Sequence, residues 1–540
     1  MVLVFFFVFL LLPLVSRALP YEDAKLFVGS VKSGSFCSPE FQRLFSTDLR
    51  EVALLLYLDN CSNSNLDGSL EPKNPYGKLK LASLLRKRGQ EEEARSLYLK
   101  VFSSTNGLDE DVLLENRGES SFLFTPEVLR RKVWIAAKNK EIDTARFYLS
   151  FLREDPYYTY LLAYLFLKEG KRELAKTLFS ASIPDERYFF LMFLSSDLVE
   201  KFNFYRKLMG SSAKTSFKRS ATVYILDKLF NRDLGLFRKA LPYARPYSGV
   251  YTYYLARYYA LTGNCKGLQS LSDKSRAARA LYAACSGKGW KESSIDFYTL
   301  LLAPPQRFPY SRESAFSNLE LKDRGLGFLY TQGFCSAISF ISRPSPQNAL
   351  ANYLCGNYKQ GIKLALPFKK ELDRYPYLLP VLYPKPPVFG DDIVSLAIAR
   401  QESLFDERAL SRSGAIGLMQ IMPFTGRDIA RRLKVKGFKV HHLYDPEVNY
   451  RFGSYYIHAL LKRFKLFPLA AAAYNCGPGR VKRALKKFGA IRTPQDLILF
   501  TEVYVPFQET RDYVKRTYVN LYYYSNLYGK GTEWKIFSKH

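Results

Sequence analysis

Between residues 80 and 365 the sequence repeats one short grammar, in which an apolar helix is followed by a turn residue and, five positions later, a small residue. In "LASLLRKRGQEEEARSLYLKVF", Leu81, Leu84 and Leu85 share one helix face, Gly89 turns the chain, and Ala94, Leu97 and Tyr98 open the next apolar face. Gly170 precedes Ala175 at the same interval, Lys140 precedes Ala145, Gly263 repeats the turn, and "LANYLCGNYKQGIKLAL" is a weaker copy. The turn residue reverses the chain, and the small side chain lets two helices approach closely. A chain written this way folds as helical hairpins. No single hairpin can bury its own apolar face, so successive hairpins must stack.

The pattern resembles tetratricopeptide-like repeats in a degenerate form, which implies an all-α, curved solenoid over residues 19–377. Aromatic residues make up 16% of the 540 residues. Their helical spacing in "YYTYLLAYLF" and "YTYYLARYYA" favours core packing, with sugar stacking by exposed tyrosines as the other reading. The repeats stop at a Pro-rich linker, residues 378–390, inside "YPYLLPVLYPKPPVFGDD", where Pro376, Pro380, Pro384, Pro386 and Pro387 oppose regular helix. A second domain is expected over 391–540.

Residues 1–18 read as a secretory signal peptide: an apolar run from Val2 to Val15, then Ser16-Arg17-Ala18 as a small-x-small cleavage site. The run is short for a bilayer span, it lacks a positive leading region, and an uncleaved anchor is the alternative. Export predicts a periplasmic location. With 80 Lys plus Arg against 50 Asp plus Glu, the formal charge is +30. Such a surface favours polyanions, and export excludes nucleic acid from among them. An oxidising compartment also gives meaning to the cysteines. Cys37 and Cys61 lie 24 apart, while Cys265 and Cys285, and Cys335 and Cys355, lie 20 apart; each pair fits a disulfide across one hairpin, with buried free thiols as the alternative. Cys476 is left over. No histidine, cysteine or carboxylate spacing resembles a metal site, so neither a metal nor any other cofactor is expected.

From Asp391 the chain reads as a helix on which Val394, Ile398 and Glu402 form one stripe. A carboxyl in line with an apolar face is desolvated, which raises its pKa and suits it to act as a general acid. On pattern alone Asp406 and Glu407 serve as well, and a glutamate at a frayed helix end is the plain alternative.

The four segments "ARQES", "SGAIGLMQIMPFT", "AAAYNCGPGRV" and "VPFQETRDYVK" occur in one order. Together they resemble the soluble lytic transglycosylases, enzymes that cleave the glycan strands of bacterial peptidoglycan. The resemblance covers about 390–520. It implies a lysozyme-like, mostly helical catalytic domain, with the repeats as the helical superstructure that large members carry. It makes Glu402 the single catalytic acid, Ser403 its motif partner, and Ser411 a substrate-binding serine. It assigns Gly417, Leu418, Met419 and Gln420 to a substrate-binding turn followed by Met422, and Tyr474 with Asn475 to the cleft. Gly414 and Gly417 are expected to let backbone approach a sugar, and Gln420 to donate to and accept from an acetamido group. The Tyr474 hydroxyl is placed at a helix end within reach of the acid. Glu509 and Tyr513 share a helix face, and Glu509 either binds substrate peptide or pairs with Arg511 or Arg516. Glu502 is an alternative cleft carboxylate.

The implied reaction uses one carboxyl as acid and then base on the bond between N-acetylmuramic acid and N-acetylglucosamine, leaving a 1,6-anhydro end. A goose-lysozyme-type hydrolase with Asp406 or another acid as the second group, and a non-catalytic envelope scaffold that binds glycan and protein partners, are the competing readings. The expected partner is the peptidoglycan glycan strand, with cell-wall synthesis or divisome proteins as further partners.

Overall fold

The computed structural model describes residues 19–61, 71–105, 108–116, 120–317, 319–411 and 413–537. The expected signal peptide lies outside them. Among the described residues regular structure is helical, and β pairing is limited to isolated bridges of Leu410 with Ile416 and Ile416 with Ile421. The all-α expectation therefore holds.

The hairpin grammar is realised turn by turn. Pro75–Lys87 and Glu91–Ser104 reverse at Gly89, Tyr158–Lys168 and Arg172–Ala181 at Gly170, and both glycines have positive φ. Pro126–Asn139 and Ile142–Ser150 reverse at Lys140, which adopts the same left-handed conformation at φ 68° although it carries a Cβ. Ala94, Ala145 and Ala175 are fully buried where the two helices of each hairpin meet. A further hairpin, Arg324–Thr331 with Cys335–Phe340, turns at Gly333 and buries Ile338 at the same offset. Its larger residue hid it from a search for small side chains.

The three hairpin disulfides form, with Cα separations of 5.6 Å for Cys37–Cys61, 5.9 Å for Cys265–Cys285 and 5.6 Å for Cys335–Cys355. Cys476 is a buried free thiol. Core packing accounts for many of the aromatic clusters: Tyr160, Tyr164 and Tyr254 are buried, and Trp134 stacks on Tyr164 at 3.9 Å.

The two ends of the repeat region meet. The first helix, Tyr21–Ser33, packs against Arg324–Thr331, and Leu19, Phe27 and Val28 share a core with Leu326, Leu329 and Ile338. The solenoid thus closes on itself. The Pro-rich stretch after it is not an extended strap. Leu378–Leu382 is a short, wholly buried helix, which corrects the expectation that its prolines oppose helix: Pro380 stands in the first turn, where no intrahelical N–H bond is lost.

One apolar core runs from Met192 in the repeats to Trp534 near the C-terminus, so the repeats and the C-terminal region pack as one body. A buried polar network crosses the junction. The Asp227 carboxylate accepts from the guanidinium groups of Arg257 (3.1 Å) and Arg511 (2.7 Å) and from the backbone N–H of Gln508 (2.8 Å). Arg257 also donates to the carbonyls of Glu502 and Val503.

Candidate active site

Glu402 is the last residue of the helix Ile393–Glu402, whose Leu396, Ala397, Ile398 and Ala399 are fully buried. Asp392 starts the helix. Its carboxylate caps Ser395 N–H and also receives the hydroxyls of Ser395 (2.6 Å) and Ser454 (2.7 Å) and the His458 ring. Arg400 donates to Leu382 O (2.7 Å) and to Asn520 Oδ1 (3.0 Å), so the last turn is held from two further sides. Directly after Ser403, Leu404 and Phe405 both take positive φ and reverse the chain, an arrangement costly for bulky residues that burial of Phe405 against Phe389 sustains.

Glu402 is half-buried by accessible surface and its carboxyl is surrounded largely by protein. Burial pushes its pKa up to about 7; the Tyr513 hydroxyl, donating to Oε1 at 2.7 Å, pulls partly against this, and the charge of Glu509 adds to the rise. Tyr513 lies on the long closing helix Gln508–Tyr528, and burial keeps its phenol protonated and able to donate. Tyr474, by contrast, does not donate to the acid. Its hydroxyl goes to Met419 O at 2.8 Å, which corrects the expectation for that residue and leaves Tyr513 as the tyrosine on Glu402.

The turn beside the acid is held mainly by its own residues. Ser403 is buried and donates to Leu418 O at 2.7 Å, tying the acid's helix to the turn. Ser411 Oγ accepts from Ala415 N–H (2.8 Å). Buried Asn449 receives Met419 N–H and donates to Ile416 O and Leu443 O. Gly417 has φ +77°, and a Cβ there would sit 2.3 Å from Asn449 Nδ2, so turn packing by itself requires glycine at this position. Gly417→Ala is therefore expected to lower the melting temperature by several degrees through strain plus overlap, measured by thermal melt, and an unchanged melt contradicts this packing account. Leu418 and Met419 are buried. Gln420 spends its amide N–H groups on Ala409 O (3.1 Å) and Gly417 O (2.9 Å), so only its carbonyl oxygen is left to face a ligand. Met422 is exposed at the N-terminus of Pro423–Arg432, next to Phe424, which is 77% exposed.

Asn475, next to Tyr474, accepts from Thr510 at 2.6 Å, and its amide hydrogens have no partner among the described residues. Glu509 is exposed and forms no ion pair among the described residues; Arg511, one of its expected partners, is consumed by Asp227. Glu502 is not in the cleft. It is fully buried at the junction with the repeats, bonded to the hydroxyls of Tyr253 (2.7 Å) and Tyr298 (2.6 Å) and to Lys515 (3.0 Å). Burial alone would raise its pKa, but Lys515 and the two hydroxyls hold it down at about 2. Asp406 is paired with Lys359 of the repeats at 2.6 Å.

Asp392 was within reach of sequence reasoning, as an Asp immediately before an apolar helix. Asn449, Arg400 and Asn520 gave no local signal, since their partners lie 33, 18 and 123 positions away.

A desolvated carboxyl at the end of a buried helix, in a helical domain, has the environment that a general acid needs. Residues 392–495 match the family model of the Transglycosylase SLT domain, and the resemblance to the soluble lytic transglycosylases is borne out there. The soluble lytic murein transglycosylase of Escherichia coli K12 is 38% identical over 151 residues, 26% of this chain and 22% of that protein. A putative soluble lytic murein transglycosylase of Haemophilus influenzae is 32% identical over 146 residues, 27% of this chain and 24% of that protein. The matched segment thus spans less than a quarter of the length of either relative. In fold, the chain is similar to a 70-kDa soluble lytic transglycosylase solved with bulgecin A, at TM-score 0.52 and 18% identity, covering 95% of this chain and 91% of that one.

Proposed function

We propose that the protein is a periplasmic lytic transglycosylase that cleaves the β-1,4 bond between N-acetylmuramic acid and N-acetylglucosamine in peptidoglycan. The observation that carries the reading is Glu402, a desolvated carboxyl with a pKa near 7 and a tyrosine hydroxyl on one oxygen, whereas Glu509, whose charge reaches it, and Glu407 are exposed. Glu402 protonates the glycosidic oxygen. The 2-acetamido group of the muramoyl sugar stabilises the developing cation, and Glu402, now ionised, takes the proton of that sugar's C6 hydroxyl. A 1,6-anhydro end results. Hydrolysis with Asp406 as partner is disfavoured by the Lys359 ion pair that already engages it. Asn475, with free amide hydrogens, and the carbonyl of Gln420 are the groups proposed to hold the N-acetyl substituents. The +30 charge supports retention of strands whose peptide stems carry carboxylates, in a salt-sensitive way. The domain limits 19–377, 378–390 and 391–540, and any cell-wall synthesis partners, belong to this proposal.

Clearing of purified sacculi by the wild-type chain tests the activity; sacculi that stay turbid while still binding the protein favour the scaffold reading. Because the acid must start protonated, kcat/KM is expected to fall as pH rises through about 7. Tyr513→Phe removes the hydrogen bond that favours the ionised form, so it moves this alkaline limb upward, readable in a pH–rate profile. A limb that stays in place takes Tyr513 out of the site.

A further inference from the structure

Asp323 is a buried carboxylate, 6% exposed, with no cationic side-chain partner among the described residues. Its Oδ1 caps the helix Arg324–Thr331 by accepting from Gly325 N–H (3.1 Å) and Leu326 N–H (3.0 Å). Its Oδ2 accepts from the backbone nitrogen of Leu19 at 2.7 Å, across 304 positions of sequence. The surroundings are acidic: Asp48 feels the charges of both Asp323 and Asp23, and the cations at hand are Arg343, paired with Asp48, and Arg43, near Asp23. Arg324 lies over the Tyr21 ring. Leu19 is inserted deeply, 3% exposed, and Gly325 has no Cβ because one would stand 2.3 Å from Leu19 O. A neutral amide brings one hydrogen to this place and no charge. An α-ammonium brings three and the missing positive charge.

The residue whose nitrogen enters the site is the one that follows the Ser16-Arg17-Ala18 cleavage pattern. We propose that the chain is cut between Ala18 and Leu19 and that the new α-ammonium of Leu19 is the buried counter-ion of Asp323. An endopeptidase of the export machinery hydrolyses the amide; water supplies the hydroxyl that becomes the Ala18 carboxylate and the proton that completes the Leu19 amine. Processing then adds a buried ion pair to a ring that is already closed, and tightens the clamp of the first helix on the hairpin at 324–340.

The test needs no glycan, so its failure is separate from failure of the enzymatic reading. The full chain exported from a bacterial host is sequenced from its N-terminus, and Leu19 is expected first. Acetic anhydride labelling across pH, read by mass spectrometry, is expected to modify the folded α-amine about tenfold more slowly at neutral pH than the unfolded one, because a paired ammonium loses its proton about one pH unit higher. Burial without a counter-ion has the opposite effect. Asp323→Asn keeps the helix cap while removing the charge. It is expected to abolish the protection and lower the melting temperature in the chain beginning at Leu19, and to lower it clearly less in a chain carrying one extra glycine before Leu19, where a neutral hydrogen bond and no ion pair is lost. A mature chain starting elsewhere, an α-amine that labels at the unfolded rate, or an Asp323→Asn effect equal in both chains overturns the proposal.

Discussion

Glu402→Gln is expected to abolish sacculus clearing, lowering the rate by about 10³-fold or more, while leaving the fold intact. The glutamine keeps the size of the side chain and an oxygen for the Tyr513 hydroxyl, but it can neither give nor take the proton. Stability should move the other way. The pKa of Glu402 in the folded chain, about 7, lies above its ordinary value of 4.5, so the contribution it makes when protonated is lost as pH rises from about 4.5 through 7. Above pH 7 the wild-type chain holds a buried charge that the Gln variant lacks, and the variant is expected to melt at the same temperature or higher. A variant that unfolds, or one that still clears sacculi, places the acid elsewhere.

The second large effect is expected far from the chemistry. Asp227→Ala leaves Arg257 and Arg511, both fully buried, without their shared carboxylate and leaves Gln508 N–H without an acceptor at the start of the helix that carries Tyr513. Removing one partner from a buried charge cluster costs about 3–5 kcal/mol. The melting temperature should fall clearly, and activity with it, because Tyr513 and the wall of the cleft ride on that helix. Asp227→Asn keeps an acceptor and should fall between the two. A melt and an activity that are both unchanged for Asp227→Ala would mean that the repeats do not brace the C-terminal region through this network. The pH dependence has the opposite sign from that of Glu402. For Asp227 burial alone would raise the pKa, but Arg511 and Arg257 outweigh it and lower it; Glu502 is held at about 2 in the same way. Both contribute stability above the ordinary carboxylate range, lost as pH falls, for Glu502 between about 4.5 and 2. Acid should therefore loosen the junction between the repeats and the C-terminal region.

What could be read from the sequence was local or carried by motifs. The five-residue offset from turn to buried small residue predicted hairpins correctly even at Lys140, where Ala145 is fully buried although the turn residue carries a Cβ. The Val394, Ile398 and Glu402 stripe anticipated a desolvated acid, and cysteine spacing anticipated three disulfides. Long-range partners were not legible. Tyr474 and Tyr513 both end near the acid, and nothing in their spacing says that the first spends its hydroxyl on Met419 O. Glu502 looked like a cleft carboxylate until its partners Tyr253 and Tyr298, more than 200 positions away, placed it at the junction. Gly417 and Gln420 suggested ligand contacts, whereas Asn449, Ala409 and the turn's own carbonyls claim much of their chemistry.

Mass spectrometry of the muropeptides released from purified sacculi tests the central claim most directly. One carboxyl acting first as acid and then as base on the substrate's own C6 hydroxyl yields 1,6-anhydromuramoyl ends, one water lighter than hydrolysed ends. Wild-type digests should contain the anhydro products, and Glu402→Gln digests neither kind. Release of hydrated reducing ends alone would contradict the account and assign a second group, delivering water, to the cleft.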